Sequence, residues 1–250
     1  MKNKRIAAFV VNYNMPEAAD ALALGIRERS QWPVDVYVID NGSDLVEPAE
    51  ATNIWIKENV QTTCGWLSGL EDAVDLEANQ YFAYWFLITS AALVGEGDPL
   101  TPMADLLWRN RNAVGVHPAL TKDSTTAWRH LISRRTGLPR RTWMIDNIAS
   151  LYRANWFERI GRFDEEMIYA WGIDLETSWK ARSTGRGLWV DERVEVMKDT
   201  DVGYRMGRMN MEADERRDLA GANMREVLER KYGPDYWARM TAEFVEEDWR

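Results

Sequence analysis

Cysteine is almost absent from this chain. Cys64 stands alone, so no internal disulfide can form, and the composition points to a reducing, cytoplasmic compartment. Histidine is nearly as scarce. His117 and His130 lie far from Cys64 in sequence, which makes the thiol a small packed residue rather than a nucleophile. No apolar run reaches bilayer length. The early "IAAFVV" stops at Asn12, too soon for a signal peptide, and the uncharged "YFAYWFLITSAALV" of residues 81–94 is too short to span. Positive charge is in deficit. A net charge of −9 and a pI near 5.0 disfavour broad nucleic-acid coating, which needs a basic face to displace counterions. One local exception exists: Arg129, Arg134, Arg135, Arg140 and Arg141 crowd a stretch with Gly137 and Pro139. Such a stretch is either a solvated loop or a contact for phosphate or an acceptor.

What is present suits one large domain or one domain with an extension. A chain of 250 residues can bury a substantial core, and most of its thirteen tryptophans are expected in packing. Residues 6–11, the run "VDVYVID", the shorter "NIWIKE", residues 82–88 and "AVGVHP" read as strands. Helical patterns separate them: one opened by Pro16, one over "GWLSGLEDAVDLEA", one near residues 100–111. This alternation predicts a mostly parallel sheet with helices on both faces. The second half is less regular. "RTWMIDNIASLYR" reads as a strand with a polar interruption, a short helix closes at Gly161, a helix over 174–184 ends at Gly185, and two short strand runs follow to 197. From about residue 211 the chain becomes charged and helix-forming.

In parallel α/β sheets ligands bind beyond the carboxyl ends of the strands. The polar exits "NYN" (12–14), "DNGSD" (40–44) and "TSA" (89–91) are therefore the places to look for chemistry. At the second exit Gly42 is free to take positive φ. Asp40 can accept from a nucleobase N–H, while Asn41 and Ser43 either reach a ribose or simply make the turn.

The order "VNYN", "VIDNGSD", "ENVQTTCGWLSGLEDAV", "FLITSAAL" and "GRFDEEMIYAWGIDLETSWKARSTG" resembles family 2-type glycosyltransferases of the GT-A fold, over roughly residues 5 to 200. The resemblance implies an α/β, Rossmann-like GT-A domain over residues 1–200 and leaves 201–250 as a helical C-terminal extension. It implies transfer of a sugar from a nucleotide-diphosphate sugar to an acceptor hydroxyl, with inversion. It assigns Asn12, Tyr13, Asn14, Asp40, Asn41, Ser43, Gly65, Trp66 and Ser90 to the donor, Asp174 to the general base, and Trp171, Gly172 and Asp146 to the acceptor side. UDP- or dTDP-sugars are the family tendency for the donor. The acceptor stays open, a polyanion among the candidates, as does the oligomeric state.

Two departures from the family pattern matter. Its metal-binding aspartate after the buried strand is replaced here by Thr89, Ser90 and Ala91, and its later histidine by Lys198. A divalent ion on a diphosphate needs carboxylate oxygens. The sequence thus predicts no metal site, with Lys198 neutralising the leaving diphosphate and Arg205 and Arg208 adding to it. A bound Mg2+ or Mn2+ stays open. So do plainer readings: Lys198 as an exposed strand-end lysine, Trp66 as core packing, Asp174 as a helix cap, and Glu176 as a dipole partner or a tether for the loop or Arg182. Loss of the metal aspartate also suits a catalytically inactive GT-A-like domain that binds a nucleotide-sugar or a partner protein. A nucleotidyltransferase ranks third, because "NYNMPEAADA" lacks a glycine-rich triphosphate loop.

Overall fold

The computed structural model describes residues 5–74 and 80–242. Nine strands form one sheet: β1 (Arg5–Asn12), β2 (Val34–Asn41), β3 (Ile54–Ile56), β4 (Tyr81–Ile88), β5 (Ala91–Leu93), β6 (Ala113–Leu120), β7 (Pro139–Thr142), β8 (Ala149–Arg153) and β9 (Gly187–Lys198). Their order is β3-β2-β1-β4-β8-β6-β9-β5, with β7 also paired to β9. Strands β3, β2, β1 and β4 run parallel, β8 enters antiparallel between β4 and β6, and β6 and β9 are parallel again. The outer edge of β9 is shared by two antiparallel strands, β7 along its first half and β5 along its last residues.

Two apolar layers explain why β1 and β4 are continuous hydrophobic runs. Ile6, Ala8 and Val10 of β1 face a layer with Leu22 and Ile26 of α1 (Pro16–Arg29) and Met103 and Leu107 of α3 (Thr101–Arg109). Ala7, Phe9 and Val11 face the opposite layer. There Trp66 and Leu70 of α2 (Gln61–Ala73), Phe157 of α4 (Ala154–Arg159) and Leu175 of α5 (Ile173–Ser183) meet the sheet. After the short α6 (Val202–Arg205), α7 (Ala213–Tyr232) and α8 (Tyr236–Thr241) bring Val227, Leu228, Tyr236 and Met240 into this second layer. The expected end of the α2 helix at residues 75–78 lies outside the described residues.

The two strand runs expected up to 197 are one strand. Register passes from Pro118 opposite Asp191 directly to Ala119 opposite Glu195, so residues 192–194 bulge out. The buried Glu192 carboxylate at that bulge takes Arg140 Nε, the Thr136 N–H and the Thr136 hydroxyl, each at 2.8 Å. Burial alone would raise the Glu192 carboxyl, but these partners hold it at about 2. A charged stretch inside a strand therefore read as a break, when it anchors the loop that carries the arginines. Arg140 is that anchor, whereas Arg129, Arg134, Arg135 and Arg141 are exposed. Past the bulge β9 continues and delivers Lys198 to the carboxyl edge of the sheet.

Candidate donor and catalytic site

Asn12, the last residue of β1, is wholly buried. Its Nδ2 donates to Asp40 Oδ2 (3.2 Å), and its Oδ1 accepts the Met15 N–H just before α1 (3.0 Å). Asp40 in turn accepts the Ser43 N–H (2.9 Å) and hydroxyl (2.7 Å), and Ser43 Oγ accepts the Asn14 N–H (2.9 Å). This closed ring fixes both strand exits. Gly42 sits at φ +71, and a Cβ there would lie 2.5 Å from the backbone of residues 58 and 59, so the turn requires glycine. Asn14 is also left-handed, at φ +56, which asparagine tolerates, and its amide reaches Asp44 (3.0 Å) and the Arg208 carbonyl (3.3 Å). Asn41 fixes the start of α2 through the Val60 N–H, Asn59 and the Gln61 carbonyl. A Cβ on Gly65 would press on that Asn41 amide at 3.3 Å.

Asn12, Asn14 and Asn41 thus support the two turns from beneath. The groups these turns offer outward are the Tyr13 ring and the Asp44 carboxylate, joined at 3.1 Å. Hydrogen bonds from Asn14, Asn210 and Tyr13 hold the Asp44 carboxyl below its ordinary range.

Trp66 does not face this rim. It is 1% exposed, its indole N–H donates to the Leu87 carbonyl (3.0 Å), and its ring packs on Phe86 and Phe163. The donor role expected for Trp66 is corrected to core packing. Trp66→Ala is expected to cost about 3–5 kcal/mol in a denaturant melt, the range for emptying a core aromatic site.

A second group of side chains gathers at the carboxyl ends of β6 and β9. Lys198 Nζ donates to Asp146 Oδ2 at 2.5 Å, with side chains only 12% and 10% exposed. Lys198 is therefore no free strand-end lysine. Its backbone is clamped as well: its N–H donates to Ser124 Oγ and its carbonyl accepts from Thr125. Asp146 comes from the connector between β7 and β8, so a residue far from β9 in sequence meets its last side chain. Although burial acts to raise it, the Lys198 ammonium holds the Asp146 carboxyl below its ordinary value. Asp174, in the first turn of α5, has the opposite fate. Burial, and then the negative charge of Asp146, push it up to about 7, with Lys198 pulling the other way. Two carboxyls whose proton affinities are driven apart by their surroundings form the pattern of one charged partner and one poised base.

Asp174 does not cap its helix. Gly172, at φ +88, occupies the cap position, and its carbonyl accepts the Glu176 N–H (2.8 Å). A Cβ on Gly172 would meet Met224 Cγ at 2.6 Å and Met167 Sδ at 2.7 Å. Gly172→Ala should therefore destabilise by about 1–3 kcal/mol, read as a lowered Tm, because strain and overpacking add. Glu176 stands in the first turn of α5, where a carboxylate complements the helix dipole. It accepts from Lys180 (2.9 Å) and the Tyr232 hydroxyl, tying α5 to α7, while Arg182 donates to the carbonyls of Trp143 and Met240. Trp171, by contrast, stands 46% exposed at the entry to α5.

The arginines after β9 do not join Lys198. Arg205 pairs with Asp199, and Arg208 with Glu17 at 2.5 and 2.9 Å. Arg208 and Asn210 instead draw residues 208–210 across the first two strand exits, Asn210 donating to Tyr13 Oη (2.6 Å) and Asp44 (2.7 Å). Asp44, Asn210 and His117 are the site residues that sequence reading missed. Asp44 lay inside the quoted turn, whereas nothing local marks Asn210.

No family model and no curated protein sequence matches this chain. Solved structures do. GalNAc-T7, solved with UDP, GalNAc and Mn2+, superposes with a TM-score of 0.62 at 11% identity, over 77% of this chain and 43% of its own. The mannosyltransferase PcManGT from Pyrobaculum calidifontis, solved with GDP-Man and Mn2+, superposes with 0.54 at 11% identity, over 97% and 75%. The chain has the GT-A fold. It spans less than half the length of GalNAc-T7. Both of these GT-A structures hold Mn2+. At the exit of β4 this GT-A sheet presents Ser90, whose Oγ is buried without a partner, and across from it a lysine already bonded to an aspartate. Among the described residues no group of three or more His, Cys, Asp or Glu side chains could hold a metal ion. The donor set does not fit a divalent cation. Among the described residues no helix is long and apolar enough to cross a membrane.

Proposed function

We propose that this chain is an inverting, metal-independent glycosyltransferase of the family 2 type, working in the cytoplasm on a nucleotide-diphosphate sugar. The observation that carries the reading is the convergence of Lys198, Asp146 and Asp174 at the carboxyl edge of a GT-A sheet, with one acid charged and the other poised near neutrality. The nucleoside lies on the rim of Tyr13 and the Asp40–Asp44 turn, and the diphosphate beside Ser90 and Lys198. Asp174 takes the proton of the acceptor hydroxyl. The acceptor oxygen bonds to the anomeric carbon as that carbon's bond to phosphate breaks, and Lys198 stabilises the charge that develops on the departing diphosphate. Trp171, exposed beside Asp174, offers a stacking face for an acceptor ring. The neighbours' ligands, UDP in one and GDP-Man in the other, set the first donors to try.

A thermal-shift panel of UDP-, dTDP- and GDP-sugars in chelator tests this, since a ligand that binds only the folded form raises Tm. Binding followed by release of free nucleoside diphosphate supports transfer. Binding with no turnover across acceptors supports the inactive binding domain instead, and no binding by any donor overturns both.

A further inference from the structure

Acid is in excess in this chain, with 40 aspartates and glutamates against 31 lysines and arginines. Exposed arginines elsewhere in the fold have found it: Arg5, Arg193, Arg205 and Arg217 each pair with an aspartate. Arg129, Arg134, Arg135 and Arg141 do not. Their side chains are exposed, and none has a partner among the described residues. The acids of the β9 bulge beside them are already committed. Asp191 accepts from Arg193 Nε (2.8 Å) and Nη2 (2.6 Å), and Glu192 from Arg140 and Thr136. The backbone that carries the four arginines is fixed. Arg135 stands at φ +58, which costs a non-glycine residue free energy. Its N–H donates to Ser133 Oγ (3.2 Å), Thr136 is bonded to the buried Glu192, and the Leu138 N–H donates to Thr136 Oγ1 (3.2 Å). Arg140 also donates to the His130 and Ile132 carbonyls, so one guanidinium ties the turn at Arg129–Leu131 to β9. The strip begins beside the catalytic edge. The Thr125 N–H donates to the Lys198 carbonyl, and the Ser133 N–H to the Leu120 carbonyl. Leu120 is in register with Val196, and Arg141 with Trp189. From one level to the other β6 runs from Leu120 back to Val116, roughly 13 Å at about 3.3 Å per residue. A single phosphate or carboxylate cannot span such a strip, whereas a chain of repeated anions can.

Resting on the transfer reading above, we propose that the segment from Arg129 to Arg141 is an acceptor-docking surface, and that the acceptor is an acidic glycan, a saccharide chain carrying repeated carboxylate or sulfate groups. A guanidinium presents paired, planar donors that match such oxyanions. A loop already held in shape loses little freedom when it binds them. The glycan supplies the hydroxyl that Asp174 deprotonates, and its anions hold the chain along the sheet edge that leads to Lys198. Nucleic acid fits less well, because a net charge of −9 repels a phosphate backbone and four arginines on one loop make a small footprint. A bilayer also fits less well, because Leu138 is the one large apolar side chain that the segment exposes. The four arginines bond to nothing at the nucleoside rim or at Lys198, so they set acceptor affinity and leave donor affinity alone.

The test titrates the whole protein with polygalacturonate, dextran sulfate, uncharged dextran, duplex DNA and phosphatidylglycerol vesicles. Wild-type protein is expected to bind at least one acidic glycan and not dextran, with an affinity that falls as NaCl rises from about 50 to about 200 mM. The triple variant Arg134→Gln, Arg135→Gln, Arg141→Gln should bind it at least about tenfold more weakly and with a shallower salt dependence. Its Tm should match wild type, because these side chains hold nothing in the fold, and so should its Kd for nucleotide-sugars. The same acidic glycan should change wild-type release of nucleoside diphosphate from a bound donor by at least about twofold, and leave the variant's rate as it was. Absence of binding to both acidic glycans, a variant that binds them as tightly as wild type, or an unchanged wild-type release rate overturns the inference. So does arginine-dependent binding of DNA or of the vesicles that equals or exceeds glycan binding, which would assign the loop to phosphate. Failure of wild type to bind any nucleotide-sugar overturns the transfer reading instead, and the glycan titration is read independently of it.

Discussion

Asp174→Asn is expected to lower turnover by on the order of a hundred- to ten-thousand-fold, the range for removing a general base, while donor affinity stays the same or tightens slightly. The amide keeps the shape and the hydrogen bond to the Leu175 N–H but cannot take a proton. In the wild-type protein the same carboxyl must be ionised to act, so activity should rise with pH through about 7. Stability should move the other way. Burial raises the folded-state proton affinity of Asp174 from an ordinary 3.8 to about 7, so its contribution is present below about pH 4 and is lost as pH rises through 7. Asparagine has no such dependence. The variant is therefore predicted to melt higher than wild type at pH 8, and the gap to shrink toward pH 5. An inactive variant that is also more stable at alkaline pH separates a strained catalytic acid from a structural one. Equal or lower Tm at pH 8 would argue that Asp174 is a structural group.

Lys198→Met removes a charge from a nearly enclosed pair, and two consequences follow. First, the charged hydrogen bond to the diphosphate is gone. Such bonds contribute about 1.5–3 kcal/mol, so donor affinity should weaken roughly 10- to 150-fold. Second, Asp146 is left buried with its principal cation missing, which typically costs about 3–5 kcal/mol. The double variant Lys198→Met with Asp146→Asn should regain most of that stability without regaining donor affinity. Lys198→Arg keeps the charge but not its compact shape, and should fall between. Chemical denaturation and donor titration on the four proteins separate the two effects. Full donor affinity in Lys198→Met would remove the lysine from the account.

How far the chain could be read from its sequence depended on the range of the interactions. Strands β1 and β4 were visible because a strand buried on both faces must be apolar throughout. The β2 exit was visible because Asp40, Gly42 and Ser43 make their turn from adjacent residues. Strand β9 was broken in two on paper because Glu192, buried against Arg140 some fifty residues earlier, looks like surface. The role of Trp66 stayed open for a related reason: an indole in the core and an indole in a site are the same letter, and its burial and hydrogen bond to Leu87 separate them. The partner of Lys198 lies 52 positions away and the contact of Asn14 with Arg208 spans 194, so neither leaves a local signal. The lysine itself was legible only against the family pattern it departs from.

The most direct test concerns the metal. Titration of the protein with UDP- and GDP-sugars by calorimetry, once in chelator and once with Mn2+, compares the two conditions on identical protein. A side-chain ammonium in place of the ion predicts binding in chelator, with a Kd that Mn2+ changes by less than about twofold. Donor binding that appears only when Mn2+ is added would contradict it.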